Sequence, residues 1–515
     1  MYFIGVNDCV HDASTSLVKD GELICHLNSE RITHIKHDGD IQPSLKYLVD
    51  LYNIPPKTLS YNGGVEGNNT HHLFHAFHSF YDSGFKKAVC IVVDGMGSEV
   101  IINDPRFLPN TYGRECKSVY VLEYPNKFYL HSRYVSVPFE SNNLKIENNK
   151  TTVVNSISEA LAFQKTCEKI GMNWYDAGKL MALASFGKEE SHQIYEGDLI
   201  SNKLFDVKNL KQVKLNIDLT LDNFEEIANF ALSLQNQTQE KIRQYILSAV
   251  EETGCKNVCL SGGYFLNCVA NNYIRKNIKK DINIFVEPIS GDDGVSIGAA
   301  KVNWYSQTNS KKISSLKTLY NGPQMDYEVE GDKVTVKEVS KLLSERKIVA
   351  IFQGRSESGP RALGNRSILY DPTDENGKEK INRIKGREWY RPFAGTILLE
   401  HSRKWFDMHN LKESPYMMYA LDILKDKRNM LPAISHIDYS CRIQTLSKNQ
   451  NINYYNLIKE FYILTGIPIL LNTSFNKAGD TMVETVEDAL KTFNETEIDY
   501  LYFPEKEILV SQKDR

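Results

Sequence analysis

Four of the 13 histidines in this 515-residue chain fall within eight residues, His71-His72-Leu73-Phe74-His75-Ala76-Phe77-His78. Residues four apart on a helix share a face, so His71 and His75 can present two imidazoles to one ion. His72 with His75 or His78 also shares a face, so the spacing alone leaves the second ligand open. A helix packed through its aromatic residues has no need of four imidazoles, and metal binding is the expectation. Asp94 and Asp292 each lie just past an apolar segment that reads as a strand, and they would complete a two-His, two-carboxylate set. Such mixed donors suit Fe(II), Mn or Zn better than a thiolate-selecting ion, and Fe(II) is favoured here.

Three further turns carry candidate chemistry. His11-Asp12-Ala13-Ser14 follows the first apolar run, where His11 can take or orient the proton of an acceptor hydroxyl and Asp12 can face a ligand or cap the turn. Asp176-Ala177-Gly178-Lys179 opens a helical stretch. A lysine at a helix start opposes the helix dipole unless a phosphate or acidic ligand answers it, which marks Asp176 and Lys179 as nucleotide contacts. In Ser261-Gly262-Gly263-Tyr264-Phe265-Leu266-Asn267, Gly262 and Gly263 allow close backbone approach to a ligand. Asn267 and Asn271 then follow four apart, with their amides on one side.

The C-terminal third holds an unusual basic constellation. Arg355, Arg361 and Arg366 lie among Gly354, Gly359, Pro360 and Gly364, followed by Asn382, Lys385, Arg387-Glu388 and Arg391-Pro392. His436, Asp438, Arg442, Gln444, Asn472 and Ser474 come later. Guanidinium groups on glycine- and proline-fixed loops grip phosphate oxygens bidentately, so this set suits two phosphorylated ligands bound side by side.

Strands must position these residues. Apolar segments 2–8, 88–93, 258–260 and 282–286 each end in a polar, acidic or glycine-rich turn, with helical patterns such as 155–170 and 224–250 between them. Alternating strands and helices predict an α/β fold. The repeated strand-then-turn pattern fits a duplicated actin-like or sugar-kinase-like unit that grips a nucleotide. A polar stretch from Gln307 to Asp332 marks a boundary, giving expected domains at 1–320 and 321–515.

Composition narrows the class. With 41% hydrophobic and 24% charged residues the chain supports two or three globular cores, and its net charge of −4 advertises neither nucleic acid nor an anionic membrane. A local patch, Arg275-Lys276-Asn277-Ile278-Lys279-Lys280 with Lys311-Lys312, leaves a nucleic-acid substrate open without indicating one. No apolar run is long enough to span a bilayer, and the N-terminus lacks the basic region of a signal peptide. Nine cysteines without a CxxC pair suggest reduced thiols, and a cytoplasmic protein is expected.

Together these motifs resemble the carbamoyltransferases of antibiotic and nodulation-factor synthesis over nearly the whole chain. The matching segments are HDAS, HHLFHA, VVDGMGSE, SGGYFLNC, GDDGVSIGAA, GRSESGPRALGNRSI, NRIKGREWYRPFAG and ILLNTSFN, the arginine-rich one being the most specific. Tyr439-Ser440, where Gly-Thr is usual, and the segment Asn173 to Lys179 depart from the pattern. The resemblance implies an N-terminal TsaD-like domain, with metal ligands His71, His75, Asp94 and Asp292 and with His11 at the acceptor. It also implies a C-terminal YrdC-like domain with Arg361, Lys385, Arg391 and Arg442, and with Arg366, Asn472 and Ser474 nearby. The implied ligands are carbamoyl phosphate, ATP with Mg, a divalent metal, and an alcohol of a natural product, sugar or hydroxymethylated pyrimidine. A homodimer is compatible with the resemblance. The competing readings are a carbamoylation factor acting on protein or tRNA, and a sugar-kinase-like nucleotide-binding protein. The first would carry an acylphosphatase domain and CxxC motifs; the second would not need the arginine-rich unit.

Overall fold

The computed structural model describes residues 1–9, 11–54, 59–65, 70–137, 144–146, 150–154, 157–190, 192–196, 199–200 and 221–512. The chain forms two compact units, one of Met1–Ile24 with Gly39–Leu316, the other of Cys25–Asp38 with Lys317–Arg515.

The first unit holds two sheets with related wiring. Strands β1 (Tyr2–Asp8), β2 (Ser14–Lys19), β3 (Glu22–Asn28, of which Glu22–Ile24 fall in this unit) and β4 (Leu59–Val65) lie in the order β3-β2-β1-β4. β1 runs antiparallel to β2 and parallel to β4. The second sheet uses β5 (Lys87–Val93), β6 (Glu99–Ile101), β7 (Tyr112–Glu123), β8 (Lys127–Ser136), β9 (Leu144–Ile146) and β10 (Thr151–Val154). After the short pair β11 (Tyr195–Glu196) and β12 (Leu199–Ile200), it is completed by β13 (Asn257–Ser261) and β14 (Asn283–Val286). Its central order is β8-β7-β5-β13-β14, with β5 antiparallel to β7 and parallel to β13. Each half therefore has a meander of three strands and then a parallel strand beside the first. That repeat is the duplicated α/β architecture the strand-and-turn pattern predicted.

The sequence explains why β5 is central. Ala88 to Val93 are all buried, as expected of a strand covered on both faces. The helix His71–Ser83 lies against this sheet, with Phe74, Phe77, Phe80 and Tyr81 in one core with Val92 and Cys259. It ends at Gly84 in the left-handed conformation that favours glycine at a helix C-terminus. The helix Val295–Thr308 crosses it so closely that a Cβ on Gly298 would collide with the Phe74 carbonyl oxygen. This crossing brings the turn before Val295, which carries Asp292, to the start of the histidine helix.

The second unit is built on one nine-stranded mixed sheet. Its strands are β15 (Asp332–Lys333), β16 (Val349–Phe352), β17 (Arg366–Tyr370), β18 (Ala394–Leu398), β19 (Ala420–Asp422), β20 (Ser440–Leu446), β21 (Ile469–Ser474), β22 (Tyr500–Phe503) and β23 (Ile508–Ser511). They lie in the order β15-β23-β22-β16-β17-β21-β18-β20-β19. Ile351, Leu369, Ile397, Ile443 and Leu470 form its core with Leu457 and Phe461 of the helix Ile452–Thr465. The segment Cys25–Asp38 belongs to this unit, although it lies in the N-terminal region expected as one continuous domain. Arg31, nearly buried, pairs with Glu484 at 3.6 Å, and Lys36 donates to the Asp480 carbonyl at 3.1 Å.

Candidate functional site

The helix His71–Ser83, the turn after β5 and the turn before Val295 deliver the imidazoles and carboxylates of the first unit to one point. His71, His75, Asp94 and Asp292 each place a ligand atom within 4.8 Å of the others. His71 Nε2 lies 3.3 Å from Asp94 Oδ2 and 3.5 Å from Asp292 Oδ1, and His75 Nε2 lies 3.5 Å from Asp292 Oδ1. Ligands about 2.1 Å from a shared ion stand roughly 3.0–3.4 Å apart around it, so the spacing fits one cation. His75 Nε2 is buried and has no hydrogen-bond partner, as a metal-directed nitrogen would lack one. The other histidines of the helix turn away. His72 meets Ser118 Oγ at 2.8 Å and His78 meets Asp82 and Glu287 at 3.3 and 3.4 Å. Burial, reinforced by the charges of His71 and His75, pushes His72 down to about 3 and keeps it neutral. Burial also opposes charging of His71, but Asp292 and Asp94 more than reverse this and hold its pKa well above normal.

The glycine turn of Gly262 and Gly263, expected at the nucleotide, also holds a carboxylate of the cluster. Gly263 N–H donates to Asp94 Oδ1 at 3.0 Å, leaving Oδ2 toward the imidazoles. Gly262 has φ +98, and a Cβ there would collide with the Val93 backbone, so the turn needs glycine. Ser261 Oγ lies 3.3 Å from His75 Nδ1 and fixes the ring that aims Nε2 at the cluster. Removing such an outer contact typically costs about 10–100-fold in metal affinity. Ser261→Ala should therefore weaken Fe(II) or Mn(II) binding by that factor at unchanged stoichiometry, read by metal titration. Unchanged affinity would show that His75 is held by packing alone.

His11 joins the same centre. Its Nδ1 meets Asp12 Oδ2 at 2.9 Å and its Nε2 lies 3.8 Å from Asp292 Oδ2. Asp12 sits at φ +55, a left-handed conformation that aspartate tolerates in turns. Ser14 fastens this turn by donating to the Asp293 carbonyl at 2.7 Å. Burial lowers the His11 pKa, but the Asp12 hydrogen bond and the Asp292 and Asp94 charges raise it overall to about 9.

Three expected nucleotide contacts of the first unit are engaged internally. Asp176 Oδ2 accepts from Asn173 N–H at 3.2 Å and pairs with Lys179 at 2.9 Å. The lysine at this helix start is thus answered by a neighbouring carboxylate. Asn267 caps the helix Cys268–Lys276 through Ala270 N–H at 3.0 Å and donates to Gln235 Oε1 at 2.8 Å. Asn271 instead donates to the Phe265 carbonyl at 2.7 Å.

The second unit divides its basic residues into braces and ligand candidates. Arg366 is a brace. It is 1% exposed, it donates to the carbonyls of Gln353, Gly354, Asn365 and Glu484, and it lies over the Phe352 ring at 3.7 Å. Lys385 is also enclosed. Its Nζ donates to Ser474 O and Asn476 O, both at 2.6 Å, and to the side chains of Ser474 and Asn476 at 3.1 and 2.6 Å. Asn472 donates within the sheet to Thr396 Oγ1 at 3.0 Å and to the Ala362 carbonyl at 3.2 Å. Arg366, Lys385, Asn472 and Ser474, expected at the ligands, are thus all hydrogen-bonded within this unit.

What remains is a cluster of cations. Burial and the neighbouring charges of Arg391 and Arg442 hold Arg387 well below the usual arginine range. Burial and the charges of Arg387, Arg391 and Lys36 do the same to Lys385. Arg387 is oriented by Asn382 Oδ1 at 2.8 Å and by the Phe393 face at 4.1 Å. Arg361 lies half-buried on a loop shaped by the buried Glu357, whose Oε1 accepts from the N–H groups of Leu363, Asn365 and Arg366. Gln444, two residues beyond Arg442 on β20, donates to the Leu363 carbonyl at 2.9 Å and ties that loop to the strand. Arg387 stood in the basic constellation without being assigned a ligand role, and Glu357 was not singled out, because a carboxylate that accepts from N–H groups six to nine residues on leaves no residue-type pattern to read.

Comparison with known proteins gives consistent matches. Residues 64–301 match the family model described as carbamoyltransferase N-terminus, and residues 340–510 match the one described as carbamoyltransferase C-terminus. Nodulation protein NolNO of Sinorhizobium fredii is 28% identical over 96% of this chain and 78% of its own length. Nodulation protein U of Bradyrhizobium diazoefficiens is 30% identical over 59% of this chain and 57% of its own. Among solved structures, full-length HypF in its phosphate- and nucleotide-bound form is 15% identical, with a TM-score of 0.34 over 59% of this chain and 55% of that one. No described helix is long and apolar enough to cross a membrane.

Proposed function

Because this chain belongs to the carbamoyltransferase family, carrying both its N-terminal and C-terminal parts, we propose that it is an ATP-dependent O-carbamoyltransferase acting through a carbamoyl-adenylate. The observation that carries the reading is the pairing of two chemistries in one chain. One unit has a two-His, two-carboxylate cluster with His11 beside it, and the other brings together Arg387, Arg391 and Arg442, whose charges repel one another.

In the second unit, carbamoyl phosphate, ATP and water give carbamoyl-adenylate, pyrophosphate and phosphate. Water first takes the phosphoryl group of carbamoyl phosphate, breaking its bridging O–P bond and releasing phosphate and carbamate; a carbamate oxygen then attacks the α-phosphorus of ATP, bound with Mg, and pyrophosphate leaves with the bonding pair. Arg361, Arg387, Arg391 and Arg442 hold the phosphates, and Lys385 holds the Ser474–Asn476 turn in place. Stabilising the developing phosphate charge with prearranged donors is the main catalytic means open to such a site.

In the first unit, the acceptor oxygen attacks the carbamoyl carbon, and AMP leaves with the electrons of the broken C–O bond. His71, His75, Asp94 and Asp292 would hold a divalent ion, for which we favour Fe(II), and it would supply charge neutralisation at the adenylate phosphate. His11 takes the acceptor proton on Nε2 while Nδ1–H stays on Asp12. Neutral His11 is needed for that, and the Asp292 and Asp94 charges that help raise its pKa are those a bound cation would offset.

General acid–base help is worth about 10²–10⁴ in rate, so His11→Asn should slow transfer within that range and spare adenylate formation. A wild-type transfer rate in that variant at saturating acceptor would remove His11 from the chemistry. The function itself is tested by incubating the protein with carbamoyl phosphate, ATP and a panel of alcohols, and following the carbamoyl mass gain. A product bearing phosphate instead would favour a sugar-kinase-like activity.

A further inference from the structure

A second group of ligating side chains begins one turn further along the histidine helix. His78 Nε2 stands 3.3 Å from Asp82 Oδ2 and 3.4 Å from Glu287 Oε1. One ligand atom from each of the three lies within 4.8 Å of the others, and all three residues are at most 3% exposed. Among the described residues, both ring nitrogens of His78 and Oε2 of Glu287 lack a hydrogen-bond partner. Buried polar atoms are rarely left so, and three in one place call for an occupant.

The separations tell what kind. Histidine–carboxylate hydrogen bonds elsewhere in this chain, such as His11 to Asp12 and His131 to Glu252, measure 2.9 Å. A proton shared by His78 and Glu287 would draw them to a similar distance. Their 3.3 and 3.4 Å instead repeat the 3.3 and 3.5 Å found among His71, His75, Asp94 and Asp292, the spacing of ligands about one ion. Lys301 pairs with Asp82 through Oδ1 and leaves Oδ2 to the cluster. Two ionised carboxylates against one ammonium leave a negative charge over, and burying it calls for a cation.

The place of Glu287 gives such an ion a task. Glu287 follows β14 directly and opens the segment that leads to the Asp292 turn. Its Oε1 accepts from Ile289 N–H at 3.1 Å, and its carbonyl accepts from Ser290 Oγ. Gly294, at the end of that turn, packs so near His78 that a Cβ there would fall 2.7 Å from Nδ1. The helix that aims His71 and His75 and the turn that aims Asp292 therefore meet at His78.

We infer that His78, Asp82 and Glu287 hold a second divalent ion, of the Zn(II) class, at a closed structural site that pins the Asp292 turn to the histidine helix. His78 Nε2, Asp82 Oδ2 and both Glu287 carboxylate oxygens supply four donors. A nitrogen and oxygen set of that number suits Zn(II) and leaves no open position for a substrate. Such a site is independent of the carbamoyl chemistry proposed above.

The test is Zn(II) binding to the full chain after chelation, counted by elemental analysis and followed through Tm. Both centres can take Zn(II), so wild type should bind two equivalents and His75→Ala one. His78→Ala and Glu287→Gln, the latter keeping the side-chain volume, should also bind one each. In His75→Ala the remaining ion should raise Tm, since an ion that binds only the folded chain stabilises it. Adding Glu287→Gln to that variant should abolish the rise. A wild-type stoichiometry of one would overturn the inference, whether or not His78→Ala folds. Two equivalents in both His78→Ala and Glu287→Gln would place the second ion elsewhere and overturn it. So would a Zn(II)-dependent rise in Tm that survives in the double variant.

Discussion

His75→Ala is expected to lose the bound divalent ion and, with it, carbamoyl transfer, while pyrophosphate release persists. His75 is fully buried, its Nε2 has no other partner, and its Nδ1 is held by Ser261. Removing it leaves His71, Asp94 and Asp292 around a hole too large for the ion. A cation that stabilises transition-state charge contributes several kcal/mol, so transfer should fall by at least about 10³. Elemental analysis and separate assays of the two half-reactions check this. Full metal occupancy in the variant would remove His75 from the ligand set, and equal loss of both half-reactions would indicate general misfolding.

Arg387→Met should have an effect of similar size in the other unit and an opposite sign on stability. Arg387 is crowded by Arg391 and Arg442, with Glu388 the main opposing charge, so its charged form is disfavoured until an anion arrives. Methionine keeps much of the aliphatic volume and removes one repelling cation. Adenylate formation should fall by about 10³–10⁵, the range seen when an arginine stabilising phosphoryl transfer is lost. The ligand-free variant should melt no lower than wild type. The rise in Tm that wild type shows with pyrophosphate should be much reduced, because a ligand stabilises only through the affinity it retains. An unchanged pyrophosphate-dependent shift would place the anion elsewhere.

Much of the first unit was legible because local spacing carries its logic. His71 and His75 are readable as helix neighbours, and Asp94 and Asp292 as the residues just past apolar segments. The repeat of strand and turn was readable for the same reason. The spacing alone did not separate His75 from its neighbours; the strands beneath the helix do, by offering Ser118 to His72 and Glu287 to His78.

The second unit was less legible. Arg366 looks like a phosphate ligand by its glycine-rich company, and nothing local announces that its guanidinium also donates to carbonyls as distant as Glu484. Lys385 is spent on Ser474 and Asn476, 89 and 91 residues away. Residue type tells how many donors a side chain has, not which acceptors the fold brings to them. The segment 25–38 misleads similarly, because Arg31 finds Glu484 only through the tertiary fold.

The central claim is that ATP is split at its α-phosphorus. The most direct measurement uses ATP labelled at the α-phosphorus with carbamoyl phosphate and no acceptor, followed by separation of nucleotides and phosphates. The account predicts pyrophosphate and orthophosphate in equal amounts, with the label in an adenylate that decays to AMP. Label recovered as ADP, without pyrophosphate, would contradict it.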